Sequence, residues 1–188
     1  MQRNAHTIDQ PLFAQIVPRD RQELLIQKLT DQDSGDLRHD APNPSGDSKD
    51  LEAPNPTGAW PIEQLMAHEG LKAAGRDDLA GKLATEYFNA FVEAFGREKT
   101  IRESILTDKP QFSGANDFVG WGGVAPIADL IRYVIGLDIS VPDKTITWRI
   151  ERTERNGIEN LRFGNFNVTL ICEPRVSPAE SAHVSITS

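Results

Sequence analysis

The sequence predicts a mainly α-helical chain that ends in a small antiparallel β unit. Two patterns carry this: apolar residues recur at helical spacing between Ile62 and Phe95, and they switch to strict alternation beyond Pro142. The helices come first and the strands second, with no βα alternation that would call for a parallel sheet.

The first ten residues are polar and read as frayed, so residues 1–18 are predicted to be a flexible N-terminus. Leu24, Leu25 and Leu29 then space as one face of a helix over about 20–30, stopped by the Asp/Ser/Gly cluster from Asp31 to Gly35. From 31 to 59 the chain is rich in Pro, Gly, Asp, Asn and Ser. It contains a near-repeat, Ala41-Pro42-Asn43-Pro44-Ser45-Gly46 and Ala53-Pro54-Asn55-Pro56-Thr57-Gly58. X-Pro steps disfavour helix, and this stretch is predicted to be a long loop, either a disordered linker with a duplicated turn or a functional loop.

Trp60-Pro61 opens the next ordered part, with proline suited to a first helical turn. Ile62, Leu65, Met66 and Leu71 predict a helix over 62–74. Asp77 or Asp78 can cap a second over 77–95, whose stripe is Leu79, Leu83, Tyr87, Phe88, Phe91, Val92 and Phe95 and whose end is Gly96. A short connection makes the two an antiparallel hairpin. An irregular stretch from Arg97 to Gly123 precedes a further helix through Val124, Ile127, Leu130, Ile131, Val134 and Ile135, closed by Gly136.

Beyond this, residues 142–188 are predicted to be β hairpins. Ile146, Trp148 and Ile150 alternate with Thr147 and Arg149, and Asn156-Gly157 is a hairpin-turn signal. Ile158, Leu161 and Phe163 supply one strand, Phe166, Val168, Leu170 and Cys172 another, and His183 to Thr187 a last one.

Composition excludes several function classes. Among 188 residues, 28 Asp and Glu outnumber 20 Lys and Arg, for a net charge of −8. Such a surface does not suit a nucleic-acid backbone, which is bound by displacing counterions with cations. One cysteine, Cys172, allows neither an internal disulfide nor a cysteine-based zinc site. No apolar run approaches the roughly 20 residues that span a bilayer, and the start of the chain lacks a secretory signal. His6, His39, His68 and His183 have no metal-ligand spacing and read as exposed or incidental, so no metal or other cofactor is predicted. Gly120-Trp121-Gly122-Gly123 precedes a helix but lacks the lysine of a phosphate loop.

The chemistry-bearing residues stand in the irregular stretches. Glu103 follows Arg102 after the longest helix, and Asp117 opens Asp117-Phe118-Val119-Gly120-Trp121. Glycoside hydrolysis needs paired carboxyl groups about the scissile bond. On spacing alone two readings stay open: sugar chemistry with aromatic walls at Trp60 and Trp121, or a solvated Arg102–Glu103 pair beside core indoles.

These segments together form a longer pattern. Gly58-Ala59-Trp60-Pro61, Glu69-Gly70-Leu71, Gly75 with Leu79-Ala80, Thr100-Ile101-Arg102-Glu103 and Asp117-Phe118-Val119-Gly120-Trp121-Gly122-Gly123-Val124-Ala125-Pro126-Ile127 follow in order. The pattern resembles the C-terminal third of the trehalase-type glycoside hydrolases, which include α-glucosidase I and the mannosylglycerate hydrolase-like enzymes. The likeness runs from about Arg19 to Arg175.

The resemblance implies an (α/α)6 toroid of the six-hairpin glycosidase type, of which residues 19–141 would be a partial arc. It implies hydrolysis of α-linked glycosides with inversion, on a carbohydrate substrate. Glu103 would be the general base, Trp60, Phe118 and Trp121 would line the sugar pocket, and Asp117 would meet a hydroxyl or a neighbouring site residue. The general acid of such enzymes lies upstream of the matched segment, so a missing N-terminal segment or a homo-oligomer would have to complete the ring. The alternative is a non-catalytic carbohydrate-binding or assembly module.

Overall fold

The computed structural model describes residues 9–30, 59–106, 110–114 and 116–187. The duplicated Ala-Pro-Asn-Pro motif, His6 and His39 lie outside the described residues. The chain divides into two compact units, Met1–Asp129 and Leu130–Ser188.

In the first unit, α1 (Asp9–Phe13) falls within the stretch read as flexible, and its Leu12 is buried. It packs on α3 (Pro61–Ala73), where a side chain at Gly70 would stand 2.8 Å from the amide nitrogen of Phe13. Glycine is what allows that approach. The second helix, α2, spans Arg19–Thr30 and buries Ile26 and Leu29.

The predicted helical hairpin is present as α3 and α4 (Asp77–Glu98). Trp60 precedes Pro61 at the start of α3 in extended backbone, which a residue before proline favours. Asp77 and Asp78 occupy the first turn of α4 rather than its cap, where their charge still complements the helix dipole. The helix runs through Gly96 and stops at Lys99 in the left-handed region.

The buried face of α4 differs from the predicted stripe. It is Ala80, Ala84, Tyr87, Ala90, Phe91 and Ala94, whereas Val92 and Phe95 are exposed. A row of alanines lets α3 and α5 (Val124–Asp129) come close, and the larger side chains are displaced to the flanks. Tyr87, Ala90, Phe91 and Ala94 form one core with Ala59, Ile105, Phe112 and Ala125.

The irregular stretch after α4 holds a small hairpin of β1 (Ser104–Leu106) and β2 (Gln111–Ser113). A 3-10 turn, Gly120–Gly123, leads into α5. The helix predicted through Val124 to Ile135 is found as α5 over its first half, and the second unit opens with a π-helical turn, Leu130–Ile135, ended by Gly136 at φ +89°.

There β3 (Leu137–Ser140) pairs antiparallel with β4 (Thr145–Trp148), and the Trp148 indole donates to the Ile135 carbonyl at 2.8 Å. A separate sheet runs β5 (Asn156–Phe163), β6 (Phe166–Cys172), β7 (Val184–Thr187), all antiparallel. The predicted strands are therefore found, but their turn is not at Asn156-Gly157. That pair lies inside β5, where Gly157 at φ +145° approaches the Leu170 carbonyl too closely for any side chain. The turn is Gly164-Asn165, between the paired Phe163 and Phe166.

The expected (α/α)6 toroid is not formed. Among the described residues helix makes up 46% and strand 23%, with five α-helices and three small antiparallel sheets, a mixed α/β fold rather than a mainly α one. A toroid requires helical hairpins in succession, each burying a face on the next. Here the chain leaves α4 for β1 and β2, and α5 is only six residues long, so among the described residues the succession stops at one hairpin. Among the described residues no helix is long and apolar enough to cross a membrane.

Candidate functional site

Glu103 stands between two backbone junctions that bring the tryptophan segments to it. At the first, the Ala59 amide donates to the Ile105 carbonyl at 2.7 Å and the Ile105 amide donates back at 3.1 Å. The two strands run antiparallel, so Trp60 leaves this bridge in the direction in which Ser104 and Glu103 approach it. At the second, the Val119 amide donates to the Ile101 carbonyl at 2.7 Å. Trp121 follows Val119 by two residues, as Glu103 follows Ile101.

The junctions converge at Gly122. A Cβ there would lie 2.7 Å from the Arg102 carbonyl oxygen, 2.9 Å from Ile101 Cγ2 and 3.8 Å from Pro61 Cγ. Backbone thus meets backbone where a side chain would not fit. The consequence is an indole pair: the Trp60 and Trp121 rings stand 6.0 Å apart, tilted by 46°. Such a distance and tilt are favourable for aromatic contact. Trp121 is 42% exposed and Trp60 half-buried, so neither is a core residue.

The carboxylates are held differently. Glu103 is half-buried, and its Cβ would be 2.9 Å from a side chain on Gly114, which sits at φ +116°. Asp117 is fully exposed and pairs through Oδ1 with Arg102 Nη1 at 3.3 Å. The Thr100 hydroxyl donates to the Asp117 carbonyl, which fixes the backbone while the side chain stays in solvent. Phe118 is 69% exposed and lies against Gly120. The structure therefore gathers Trp60, Trp121, Arg102 and Asp117 around the Glu103 backbone, while the Phe118 ring is largely open to solvent.

Glu98 was not singled out by sequence reasoning, and Arg102 was read only as a partner for Glu103, whereas the structure pairs it with Glu98 and Asp117. Arg102 also donates from Nη1 to the Asn116 carbonyl at 3.1 Å and faces Glu98 Oε2 at 3.6 Å. The other Glu98 oxygen accepts the Phe112 amide at 2.9 Å.

His68 corrects the reading of the histidines as exposed or incidental. It is fully buried on α3, and its Nδ1 lies 3.0 Å from Oδ1 of Asp129, also fully buried, at the end of α5. The Tyr87 ring stands 6.3 Å from the imidazole. A polar residue on the inward face of a helix, with an acid in an otherwise apolar segment, was the signal: buried polar groups are bonded to one another.

Burial pushes the Tyr87 hydroxyl far above the ordinary tyrosine range, and the neighbouring Asp129 charge adds to the shift. The folded state thus favours the neutral phenol. That contribution is fully present below the unfolded tyrosine pKa of about 10 and is lost as pH rises beyond it. The hydroxyl has no hydrogen-bond partner among the described residues. Tyr87→Phe is therefore expected to leave stability at pH 7 unchanged or slightly raised, and to flatten the fall in melting temperature above pH 10. Thermal melts of both proteins between pH 7 and 11 check this; parallel curves would refute it.

No protein-family profile matches the chain, and no solved structure matches it. A curated protein of Borreliella burgdorferi, described only as an uncharacterized protein, is 46% identical over 46 residues. That alignment covers 24% of this chain and spans only 10% of the relative's length. Among the described residues no group of three His, Cys, Asp or Glu side chains stands close enough to hold a metal ion.

Proposed function

We propose that this chain carries the sugar-binding and general-base part of an inverting glycoside hydrolase acting on α-linked glycosides. Glu103 is the base that takes a proton from the attacking water, and Trp60 and Trp121 hold the sugar by their ring faces. One observation supports this above the others: the Ala59–Ile105 and Val119–Ile101 backbone pairings lead both indoles to the segment that bears Glu103. An inverting reaction also needs a general acid roughly 6.5–9.5 Å from the base, so that a water fits between them. The resemblance assigns that acid to no residue of this sequence.

A second reading is a carbohydrate-binding module without catalysis. The exposure of Trp121 and Phe118 favours it, since open aromatic faces suffice to stack a sugar ring.

Titration with a panel of α-linked di- and oligosaccharides by calorimetry, alongside a hydrolysis assay, separates the readings. Under both, Trp121→Ala is expected to weaken binding about tenfold or more, the scale of one lost aromatic contact. Under the hydrolase reading, any turnover falls by a factor of 100 or more in Glu103→Gln, the usual worth of a general base of about 10²–10⁴. Binding that is indifferent to Glu103→Gln, with no turnover, selects the binding module. No affinity for any sugar refutes both.

A further inference from the structure

We infer that Glu98 is a positioning residue of this site, acting through Arg102. It belongs to α4, yet its carboxylate is shared between two elements that frame Glu103. One oxygen accepts the Phe112 amide of β2 at 2.9 Å, and the other faces Arg102 Nε at 3.6 Å. The Arg102 guanidinium in turn reaches the Asn116 carbonyl at 3.1 Å and Asp117 Oδ1 at 3.3 Å. From a single carboxylate, the chain of contacts runs to the β2 strand beside Glu103 and to the loop that leads into Trp121.

Burial decides which link matters. Glu98 and Arg102 are 25% and 27% exposed, whereas Asp117 is 99% exposed. An ion pair to a fully solvated carboxylate contributes little. The Glu98–Arg102 contact is partly shielded, and a planar guanidinium held on one edge presents its other nitrogens in a fixed direction. Arg102 therefore holds the Asn116 carbonyl in place because Glu98 holds Arg102.

The chemistry of the side chain gives a selective test. Glutamine at 98 keeps an oxygen for the Phe112 amide but turns an NH2 group toward the guanidinium, where two donors face each other. Glu98→Gln should thus cut the link to Arg102 and spare the link to β2; Glu98→Ala should cut both. A merely structural contact would show no such division. The inference rests on the sugar-site reading only for its binding arm; its first arm needs no ligand.

Amide hydrogen exchange and indole NH resonances by NMR supply that first arm, with Glu93→Gln as the control. Among the described residues Glu93 pairs with Arg97, on the exposed side of the same helix, 3.6 Å away. In Glu98→Gln the Val119 amide, which donates to Ile101, is expected to exchange about tenfold faster, and the Trp121 indole NH to shift. The Phe112 amide should stay within about twofold of the unmodified chain. Equal effects at Phe112 and Val119, or none at Val119 beyond the Glu93→Gln control, overturn the inference. In the binding arm, a sugar bound by the unmodified chain should bind about five- to tenfold more weakly to Glu98→Gln. If the unmodified chain binds no sugar, the sugar reading fails and the exchange arm still decides the role of Glu98.

Discussion

Asp129→Ala is expected to destabilise the first unit by about 3–5 kcal/mol, the cost of removing one partner from a buried pair. Both members are fully buried, with His68 Nδ1 and Asp129 Oδ1 3.0 Å apart. Truncation leaves the imidazole in a low-dielectric core without its carboxylate, and solvent cannot reach it to compensate. Since a domain of this size is stable by only about 5–15 kcal/mol, such a loss is a large share of the total. Urea denaturation followed by circular dichroism should register it, and the melting temperature should fall by roughly 10 °C. His68→Ala should behave similarly, and the double variant should lose less than the sum, because both removals break the same contact. A loss below about 1 kcal/mol for Asp129→Ala would mean that the pair is not what ties α5 to α3.

Gly122→Ala is the second large effect, and it reaches the candidate site. The added methyl would stand 2.7 Å from the Arg102 carbonyl oxygen and 2.9 Å from Ile101 Cγ2. Both are closer than atoms can pack, and the first is backbone that also carries Glu103. The 3-10 turn must therefore move away from the Ile101–Arg102 segment, at an expected cost of about 2–3 kcal/mol, as for other strained substitutions. The Trp60–Trp121 contact, 6.0 Å between centroids, depends on that same approach. Near-ultraviolet circular dichroism should lose indole signal in Gly122→Ala, and any sugar affinity should fall at least tenfold. Gly120→Ala is the control. Among the described residues its methyl would meet the Phe118 ring, at 3.4 Å, and that exposed side chain can turn aside. Similar losses in the two variants would sink the claim that backbone contact at Gly122 builds the site.

Part of the fold was legible because local physics decides it. Pro61 after Trp60 and the apolar spacing to Leu71 fixed the start and course of α3, which spans Pro61–Ala73. Alternation fixed β4 and the strands β5 to β7. Three-residue strands such as β1 and β2 are too short to display a period, so they stayed within an irregular stretch. Asn156-Gly157 has the composition of a turn, but residue type only permits a conformation. Pairing with Cys172 and Ile171 placed those residues in a strand. The α4 stripe erred because large apolar residues were weighed above alanines, whereas close helix packing selects small ones.

The ring expectation failed for a different reason. It rested on short motifs in order, each of which describes a local turn or helix end. Closure into a toroid depends on many helical faces meeting in succession, a property that no single motif contains. The motifs can thus persist while the architecture around them is mixed α and β.

The amino-acid order by itself determined where the helical hairpin lies, where helices give way to strands, and that Trp60, Glu103 and Trp121 stand outside the two long helices. Periodicity and proline or glycine placement act over a few residues, so these features need no distant partner. Only the tertiary structure decided that Ala59 pairs with Ile105 and Val119 with Ile101, that Glu98 grips Arg102, and that His68 meets Asp129 across 61 positions of chain. Those contacts exist because buried backbone and polar groups must find partners once water is excluded, and which partner each finds is settled by packing, not by spacing.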